Sequence, residues 1–209
     1  MILYEDAQGS PGWLAARAGV ITGSCFCKAR AFTKAGKSSA ERTTYARDVA
    51  RSRCTGLPIP SPFQTAAMLF GIEQEPAAKR EFEVRTGEIV SPAGFITTDD
   101  RRFGVSVDGL IGDDGGIEVK TIVGTDQMFK VLVERDLSDY ADQCLGAMWL
   151  LGRRWWKLVL WAPDLAPIGR DLTVVHIARD ETAIEALEAD LVAFLRLVDE
   201  NEAALRRLG

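Results

Sequence analysis

The sequence predicts an α/β (α+β) protein in which a central mixed sheet is flanked by helices. Residues 10–86 carry helical patterns and helix-capping residues, whereas residues 94–123 form short β-rich runs separated by Asp and Gly. Residues 180–207 repeat apolar side chains at helical spacing. Helices followed by a sheet and by crossover helices are typical of an α/β sandwich.

The first two helices are indicated by their capping residues. Ser10 and Pro11 supply an N-cap and a first-turn proline, which predict a short helix. The side chains expected on this helix are Trp13, Leu14 and Arg17. A second helix should begin near Thr22 or Ser24.

Two longer helices should follow. Ser38 with Glu41 three residues later forms a capping box, which opens a helix that stops before Gly56. A further helical pattern runs from about 62 to 86. Pro76 inside this pattern either kinks the helix or splits it in two.

The rest of the chain alternates between strands and helices. Three β-rich runs predict a strand meander, namely GFITT, FGVSVDGLIG and GIEVKTIV. Two helices are expected near 125–134 and 138–151, the second capped by Ser138. The runs WWKLVLWA and LTVVHIA predict two more strands, of which the first suits a buried central strand. A final amphipathic helix should lie on the core through Ile184, Leu187, Leu191, Phe194, Leu195 and Val198.

The composition favours one globular domain over residues 1–209. No run of eighteen apolar residues is present, so no membrane span is expected. The start MILYEDAQGS does not resemble a signal peptide, which favours a cytoplasmic protein. The net charge is −5, but residues 1–60 hold nine Lys and Arg against four Asp and Glu. This segment either faces phosphates or forms a solvated basic helix.

The cysteines and the single histidine argue against a zinc or iron–sulfur site. The sequence contains no CxxC pair and no cluster of cysteines with histidines, so reduced and mostly buried thiols are expected. The four cysteines are Cys25, Cys27, Cys54 and Cys144. His176 lies in an apolar strand, which favours a structural role.

The stretch SVDGLIGDDGGIEVK carries the candidate chemistry. Asp108 ends one strand, while Glu118 and Lys120 lie two residues apart on the next and therefore share a face. The Asp/Gly turn between the strands folds them into a hairpin that brings Asp108 beside Glu118. Two such carboxylates suit a hard cation such as Mg²⁺, to which the Val119 carbonyl could add a third ligand. Burial near a metal would depress the pKa of Lys120 enough for proton transfer.

A Glu-x-Lys pair is common on exposed strands and is not specific by itself. The apolar residues that flank it distinguish this hairpin from an exposed one. Apolar residues alternate with the polar ones and predict a half-buried strand pair; they are Val105, Val107, Ile117 and Val119. Glu75 lies in the acid-rich helix FGIEQEPAAKREFE, where spacing alone favours a solvated face. Arg17 precedes Thr22 and Ser24, an arrangement that fits either a phosphate pocket or a surface arginine near a helix cap.

Taken in order, these stretches resemble the phage lambda exonuclease type of recombination nuclease, also called the YqaJ-like viral recombinase family. WLAARAGVITGS is similar to the family's N-terminal arginine motif, and FGIEQE to its helix with an acidic position, here Glu75. SVDGL and IEVK resemble its two metal-binding strands. YADQCLGAMW resembles its Tyr-x-x-Gln helix, which places the glutamine at Gln143. The match covers most of the chain.

This resemblance implies a restriction-endonuclease-like nuclease core that digests one strand of linear double-stranded DNA from 5′ to 3′. It implies release of 5′-mononucleotides and a 3′ single-stranded overhang for recombination by strand annealing. It also implies a ring-shaped homotrimer, a single-strand annealing protein as partner, and phage or prophage origin in a bacterial cytoplasm.

The resemblance also implies roles for individual residues. The implied 5′-phosphate ligands are Arg17, Ser24 and Ser106. Met68 falls where relatives carry an apolar wedge at the DNA fork. Two departures from the family pattern, Phe70 for a tryptophan and Val107 for a proline, remove no ligand.

The implied chemistry is hydrolysis with two Mg²⁺ ions, for which Mn²⁺ can substitute. The implied metal ligands are Asp108, Glu118, the Val119 carbonyl and Glu75, the last through water or the second ion. Lys120 would orient or deprotonate the attacking water, and Gln143 would help to position the water or Lys120.

Three other classes remain open from the sequence. A site-specific restriction endonuclease shares the core and the metal chemistry but needs a base-reading element, for which the sequence offers no obvious candidate. A catalytically silent DNA-binding subunit has no need of an intact Asp108, Glu118 and Lys120. A nuclease of the recombination-helicase or CRISPR-adaptation type needs four cysteines around an iron–sulfur cluster, which the scattered cysteines do not suit.

Overall fold

The computed structural model describes residues 1–59 and 65–208, and in these residues eight strands form two sheets of four. The strands are β1 (Ile2–Tyr4), β2 (Ile21–Thr22), β3 (Phe95–Thr97), β4 (Phe103–Ser106), β5 (Gly109–Ile111), β6 (Gly115–Thr121), β7 (Trp155–Trp161) and β8 (Leu172–Ala178). The α-helices are α1 (Pro11–Ala16), α2 (Phe26–Ala29), α3 (Ala40–Thr55), α4 (Ala66–Thr86), α5 (Thr125–Met128), α6 (Ser138–Leu151) and α7 (Glu181–Arg206). The predicted α/β class is therefore confirmed.

Both sheets are mixed. The first has the order β1-β3-β4-β2 with β2 parallel to β4, and the second has the order β5-β6-β7-β8 with β6 parallel to β7. The expectation of one central sheet is wrong, because the chain leaves the first sheet after Ser106 and begins the second at Gly109. Local alternation identifies strands, whereas the choice of partner depends on contacts distant in sequence.

The second sheet is buried on both faces at its centre, whereas its edge strand β8 is half-buried or exposed. Its central strand β7 contributes Trp156, Leu158 and Leu160 to one face and Val159 to the other, and all four are fully buried. The predicted buried central strand is thus confirmed. On the Val159 face, α4 packs against the sheet through Phe82.

The C-terminal helix covers the larger core as predicted. In α7, Ile184, Leu187, Leu191, Phe194 and Val198 are buried, and Leu195 packs against them. These positions recur at helical spacing, so the helix presents one apolar face to the core. The face packs mainly against α3 and also against α6.

The helix starts agree with the sequence in part. The Ser10 hydroxyl accepts the N–H of Trp13 at 3.2 Å, which confirms the cap of α1. The N-cap of α3 is Ser39 rather than the predicted Ser38, because Ser39 accepts the backbone N–H of Arg42 while Ser38 faces its side chain. A helix that starts one residue later leaves no capping box.

Two further helix boundaries differ from the sequence expectation. α4 is one continuous helix through Pro76, so the split alternative is wrong, and it begins at Ala66 after the cap Thr65. The predicted start near residue 62 lies outside the described residues. Ser138 is the first residue of α6 rather than its cap, and its N–H is accepted by the carboxylate of Asp136. The helix expected over 125–134 comprises α5 and a π-helical turn.

The cysteines are free thiols, as expected, but they are not mostly buried. Only Cys144 is buried, Cys27 is exposed, and the other two are partly buried. Across residues 1–59 and 65–208, no helix is both long and apolar enough to span a bilayer.

Candidate active site

The hairpin of β5 and β6 brings two acids together. Gly109 pairs with Ile117, so Asp108 and Glu118 lie beside each other across the strands. The carboxylate of Asp108 accepts the backbone N–H of Val119 at 2.6 Å, which fixes its orientation. Glu118 is only 3% exposed. A hairpin is present, but Val105, expected on the strand beside Ile117 and Val119, belongs to β4 in the other sheet, and the strand that pairs with β6 begins at Gly109. The acids of the hairpin face an interior that disfavours uncompensated charge.

Lys120 and Gln143 complete a triangle with Glu118. The Lys120 ammonium lies 2.8 Å from the Glu118 carboxylate, on the shared strand face that the spacing predicts. Gln143, on α6, donates to Glu118 at 2.7 Å and accepts from Lys120 at 3.1 Å. One amide therefore bonds both charged groups and fixes their separation.

The electrostatics of the acid pair suit a divalent cation. Burial, then the charges of Glu118 and Glu75, hold the pKa of Asp108 well above its usual range. Burial also raises the pKa of Glu118, although Lys120 opposes this. Buried carboxylates that repel one another gain stability from a hard cation with oxygen ligands.

The pKa of Lys120 differs from the expectation. Burial acts to lower it, but the charge of Glu118 and, more weakly, that of Asp108 outweigh burial, so the pKa is raised. The predicted depression depends on a bound metal that would neutralise these carboxylates. Without such a cation Lys120 is a positively charged donor, not a base.

Glu75 faces the same cleft from α4. Its side chain is 27% exposed and its carboxylate lies 2.5 Å from the ammonium of Lys79, one helical turn further along. Its charge acts on both Asp108 and Glu118. The interpretation of Glu75 as a solvated surface acid is therefore wrong.

Arg17 lines the same cleft from the turn after α1. Its guanidinium packs 4.2 Å from the ring of Trp13 and donates to the hydroxyl of Ser106 at 3.2 Å. Burial lowers its pKa, and within the described residues it makes no ion pair with a carboxylate. A partly buried arginine whose remaining donors face a cleft is suited to an anionic ligand. Ser24 is exposed in the turn before α2.

The ten residues to which the sequence or the family resemblance assigns a role at the site all line one cleft of about 500 Å³. They are Arg17, Ser24, Met68, Glu75, Ser106, Asp108, Glu118, Val119, Lys120 and Gln143. The cleft thus has a cationic part around Arg17 and Ser106, called here the cationic end, and an acidic part around Asp108 and Glu118, called the acidic end. His176 is not part of it and lies on β8 against the ring of Trp155.

Sequence reasoning missed several residues that line the cleft or contact its lining. Trp13 lines it and donates to Ser106 at 3.1 Å, and its position one turn before Arg17 on a helix was the available signal. The ring of Tyr140 lies 5.8 Å from the Lys120 ammonium, and this tyrosine is the first residue of the Tyr-x-x-Gln motif. Ile72 also lines the cleft and had no distinguishing signal.

The donor set fits a metal bound by few protein groups. In the part of the chain that the structure describes, no cluster of three or more His, Cys, Asp or Glu side chains is arranged around a single ion. Asp108 and Glu118 provide two carboxylates, and the Val119 carbonyl adds a main-chain oxygen. Mg²⁺ commonly binds to one or two carboxylates and keeps several waters, so this smaller set is adequate.

The fold and the cleft define a protein of the exonuclease class. Residues 12–154 match the YqaJ-like viral recombinase domain, and the chain belongs to that family. The resemblance found in the sequence motifs is confirmed.

Solved structures agree with this assignment. An alkaline exonuclease from Laribacter hongkongensis is 31% identical, with a TM-score of 0.82 over 95% of this chain and 97% of that one. The same exonuclease in complex with dAMP gives 31% identity, a TM-score of 0.83 and the same coverage. A phage-related exonuclease from Haemophilus somnus 129PT, at 16% identity and a TM-score of 0.72 over 89% and 96% of the two chains, shares the fold. No curated protein sequence matches the chain.

Proposed function

We propose that the protein is a Mg²⁺-dependent exonuclease that degrades one strand of linear double-stranded DNA from 5′ to 3′ and releases 5′-mononucleotides. The observation that carries the proposal is that one cleft holds both Arg17, which pairs with no carboxylate of the described residues, and the group Asp108, Glu118 and Lys120. A cationic end suits a terminal phosphate, and an acidic end suits the metals of phosphodiester hydrolysis.

The acidic end would hold the metal. Asp108, Glu118 and the Val119 carbonyl are the proposed direct ligands, and Glu75 acts through water or a second ion. Bound Mg²⁺, or Mn²⁺ in its place, supplies Lewis-acid stabilisation of charge on the attacking and leaving oxygens.

Lys120 would place the attacking water. Its ammonium is held by Glu118 and Gln143, so its one remaining N–H has a defined direction. A positively charged lysine donates to the water or to a phosphate oxygen, and it becomes a base only when the adjacent carboxylates are neutralised. Gln143 keeps this geometry, because it bonds Lys120 and Glu118 at once.

The cationic end would bind the terminal phosphate. Arg17 and Ser106 already contact each other, and Ser24 opens onto the same cleft. A 5′-phosphate held there sets the distance to the metal site and so limits cleavage to one nucleotide. A related alkaline exonuclease has been crystallised with dAMP, a mononucleotide of the proposed product class. Met68, at the rim, is the proposed wedge between the separating strands.

We further propose that residues 1–209 act as one nuclease domain within a ring-shaped homotrimer. The 3′ overhang left by digestion would be passed to a single-strand annealing protein. Membership of a viral recombinase family supports this recombination role and phage or prophage origin. Action in the bacterial cytoplasm is part of the same proposal.

Digestion of linear and closed circular duplexes of the same sequence tests the proposal. With Mg²⁺, wild-type protein should degrade the linear form and leave the circle intact, and Glu118→Ala should lose hydrolysis while its circular dichroism spectrum stays unchanged. Cleavage of the circle would instead indicate a restriction-type endonuclease. Full activity of Glu118→Ala, or no activity of the wild type on any DNA, would contradict the proposed catalytic site.

A further inference from the structure

A second cleft, of about 450 Å³, adjoins the turn that carries Arg17. Ala18 and Gly19 of this turn line the second cleft, whereas Arg17 lines the active-site cleft. Within the described residues the two clefts share no lining residue. The turn between α1 and β2 therefore separates the two clefts. A side chain that binds this turn from the second cleft can move Arg17.

Three side chains from other parts of the chain hydrogen-bond to the backbone of this turn or of the last residue of α1. Arg53 of α3 donates to the carbonyl of Gly19 at 2.9 Å, and the hydroxyl of Ser52 accepts the Gly19 N–H at 2.8 Å. Arg101, between β3 and β4, donates to the carbonyl of Ala16 at 3.3 Å. Both backbone groups of Gly19 are thus fixed by neighbouring residues of one helix.

Gly19 is the position at which Arg53 and the turn fit together. Its φ of +73° is in the left-handed region, which favours glycine. A Cβ added there would lie 2.7 Å from Cγ of Arg53, much closer than van der Waals contact. The Arg53 side chain therefore crosses the turn where only glycine leaves room, so that the two cannot shift independently.

The contribution of Arg53 to the stability of the fold does not explain why its side chain crosses the turn. Its side chain is 12% exposed, and its Nη2 is buried without a hydrogen-bond partner among the described residues. Nη1 pairs with Asp199 of α7 at 2.9 Å. A buried donor without a partner is costly, so this arginine fits a role in positioning better than one in stabilising the fold.

We propose that Arg53 is a positioning residue that fixes Arg17 through Gly19 and thereby sets the preference for 5′-phosphorylated ends. The inference rests on the proposed binding of the terminal phosphate by Arg17. The path is short, because Gly19 follows Arg17 by two residues and the Arg17 carbonyl accepts the N–H of Val20 at 3.2 Å. Movement of the turn would displace the guanidinium from Ser106 and from the phosphate.

The test compares initial rates on linear duplexes with 5′-phosphate and 5′-hydroxyl ends, using the full chain with Mg²⁺. In Arg53→Met the ratio of the two rates should fall about tenfold or to one, because a small displacement of a binding group has a large effect on rate. The control is Arg102→Met, because Arg102 lines the same cleft and pairs with Asp199, but its side chain makes no bond to the turn. Its ratio should equal that of the wild type. Gly19→Ala should lower the ratio as Arg53→Met does.

The outcomes separate this inference from the proposed function. A wild-type ratio above one that Arg53→Met leaves unchanged overturns the inference but not the role of Arg17. An equal fall in Arg53→Met and Arg102→Met also overturns it, since loss of the ion-pair network would then be the cause. A wild-type ratio of one overturns the Arg17 phosphate site and the inference with it. If Arg53→Met does not fold, the ratio for Gly19→Ala decides in the same way.

Discussion

The ammonium of Lys120 lies 2.8 Å from the carboxylate of Glu118, and one amide, that of Gln143, bonds to both. Strand alternation alone places the two charged groups on one face of β6. The third member comes from α6 and holds the other two at a fixed distance. We expect this triangle to align Lys120 with the reacting phosphate.

Gln143→Met should lower kcat and leave KM for DNA nearly unchanged. The methionine fills a similar volume but bonds neither Lys120 nor Glu118, and loss of a group that orients others near a metal typically costs about 10- to 100-fold. Steady-state kinetics on linear duplex DNA measures both constants. Gln74→Met is the control, because Gln74 bonds Trp161 and does not line the cleft. Equal kcat in the two variants would contradict the alignment role.

Asp108→Asn should stabilise the metal-free protein above neutral pH while it abolishes hydrolysis. The pKa of Asp108 is raised in the fold by burial and by Glu118 and Glu75. The stability linked to this group is therefore fully present below its unfolded pKa and is lost as pH rises through its folded pKa. The asparagine stays neutral and can still accept the N–H of Val119.

Thermal unfolding in chelator at several pH values measures this effect. The melting temperature of Asp108→Asn should exceed that of the wild type by a few degrees at pH 8, and the difference should shrink as the pH falls. Added Mg²⁺ should stabilise the wild type more than the variant, since only the wild type keeps both carboxylates. A variant that is less stable than the wild type at pH 8 in chelator would refute the linkage.

Lys79→Met should tighten the binding of Mg²⁺. The Lys79 ammonium pairs with Glu75 at 2.5 Å, and its charge also acts on Glu118. Removal of a positive charge beside the metal ligands should lower the dissociation constant by roughly threefold or more. Calorimetric titration with Mg²⁺ measures it, with Arg80→Met, an exposed neighbour on α4, as control. Weaker binding in Lys79→Met would show that the lysine holds Glu75 in place instead of competing with the cation.

Met68→Ala should slow initiation at blunt duplex ends. Met68 is 50% exposed and lines the cleft at the first turns of α4, a position suited to an apolar wedge that unstacks base pairs. The rate at blunt ends should fall by about threefold or more relative to ends with unpaired 5′ nucleotides. Leu69→Ala is the matched control, because Leu69 is 51% exposed but does not line the cleft. An equal fall in the blunt-end rate for Met68→Ala and Leu69→Ala would contradict the proposed wedge role of Met68.

Short-range signals predicted most of the fold. The cap at Ser10, the helix end at Gly56 and the apolar spacing of α7 depend on neighbours within a few residues, and the structure has all three. The capping box predicts Ser38 as the cap of α3, whereas the structure has the neighbouring Ser39, whose hydroxyl accepts the N–H of Arg42. The change of sheet at Asp108 depends on strand partners distant in sequence, which local alternation does not encode.

The candidate site divides in the same way. Asp108, Glu118 and Lys120 follow from hairpin register and strand period, and the structure places them together. Glu75 and Arg17 could be assigned to the site only through the family resemblance. The direction in which a helix residue faces depends on how the helix packs, and local sequence does not specify that packing. The raised pKa of Lys120 depends on the sum of burial and two nearby charges, which no sequence pattern specifies.

Digestion of a linear duplex that carries one 5′-phosphorylated end tests the central claim most directly. Each strand bears a distinct internal label, and products are sized with Mg²⁺ and in excess chelator. We predict 5′-mononucleotides released from the phosphorylated strand first and only with Mg²⁺. Internal fragments, digestion from 3′ ends, or equal digestion in chelator would contradict the account.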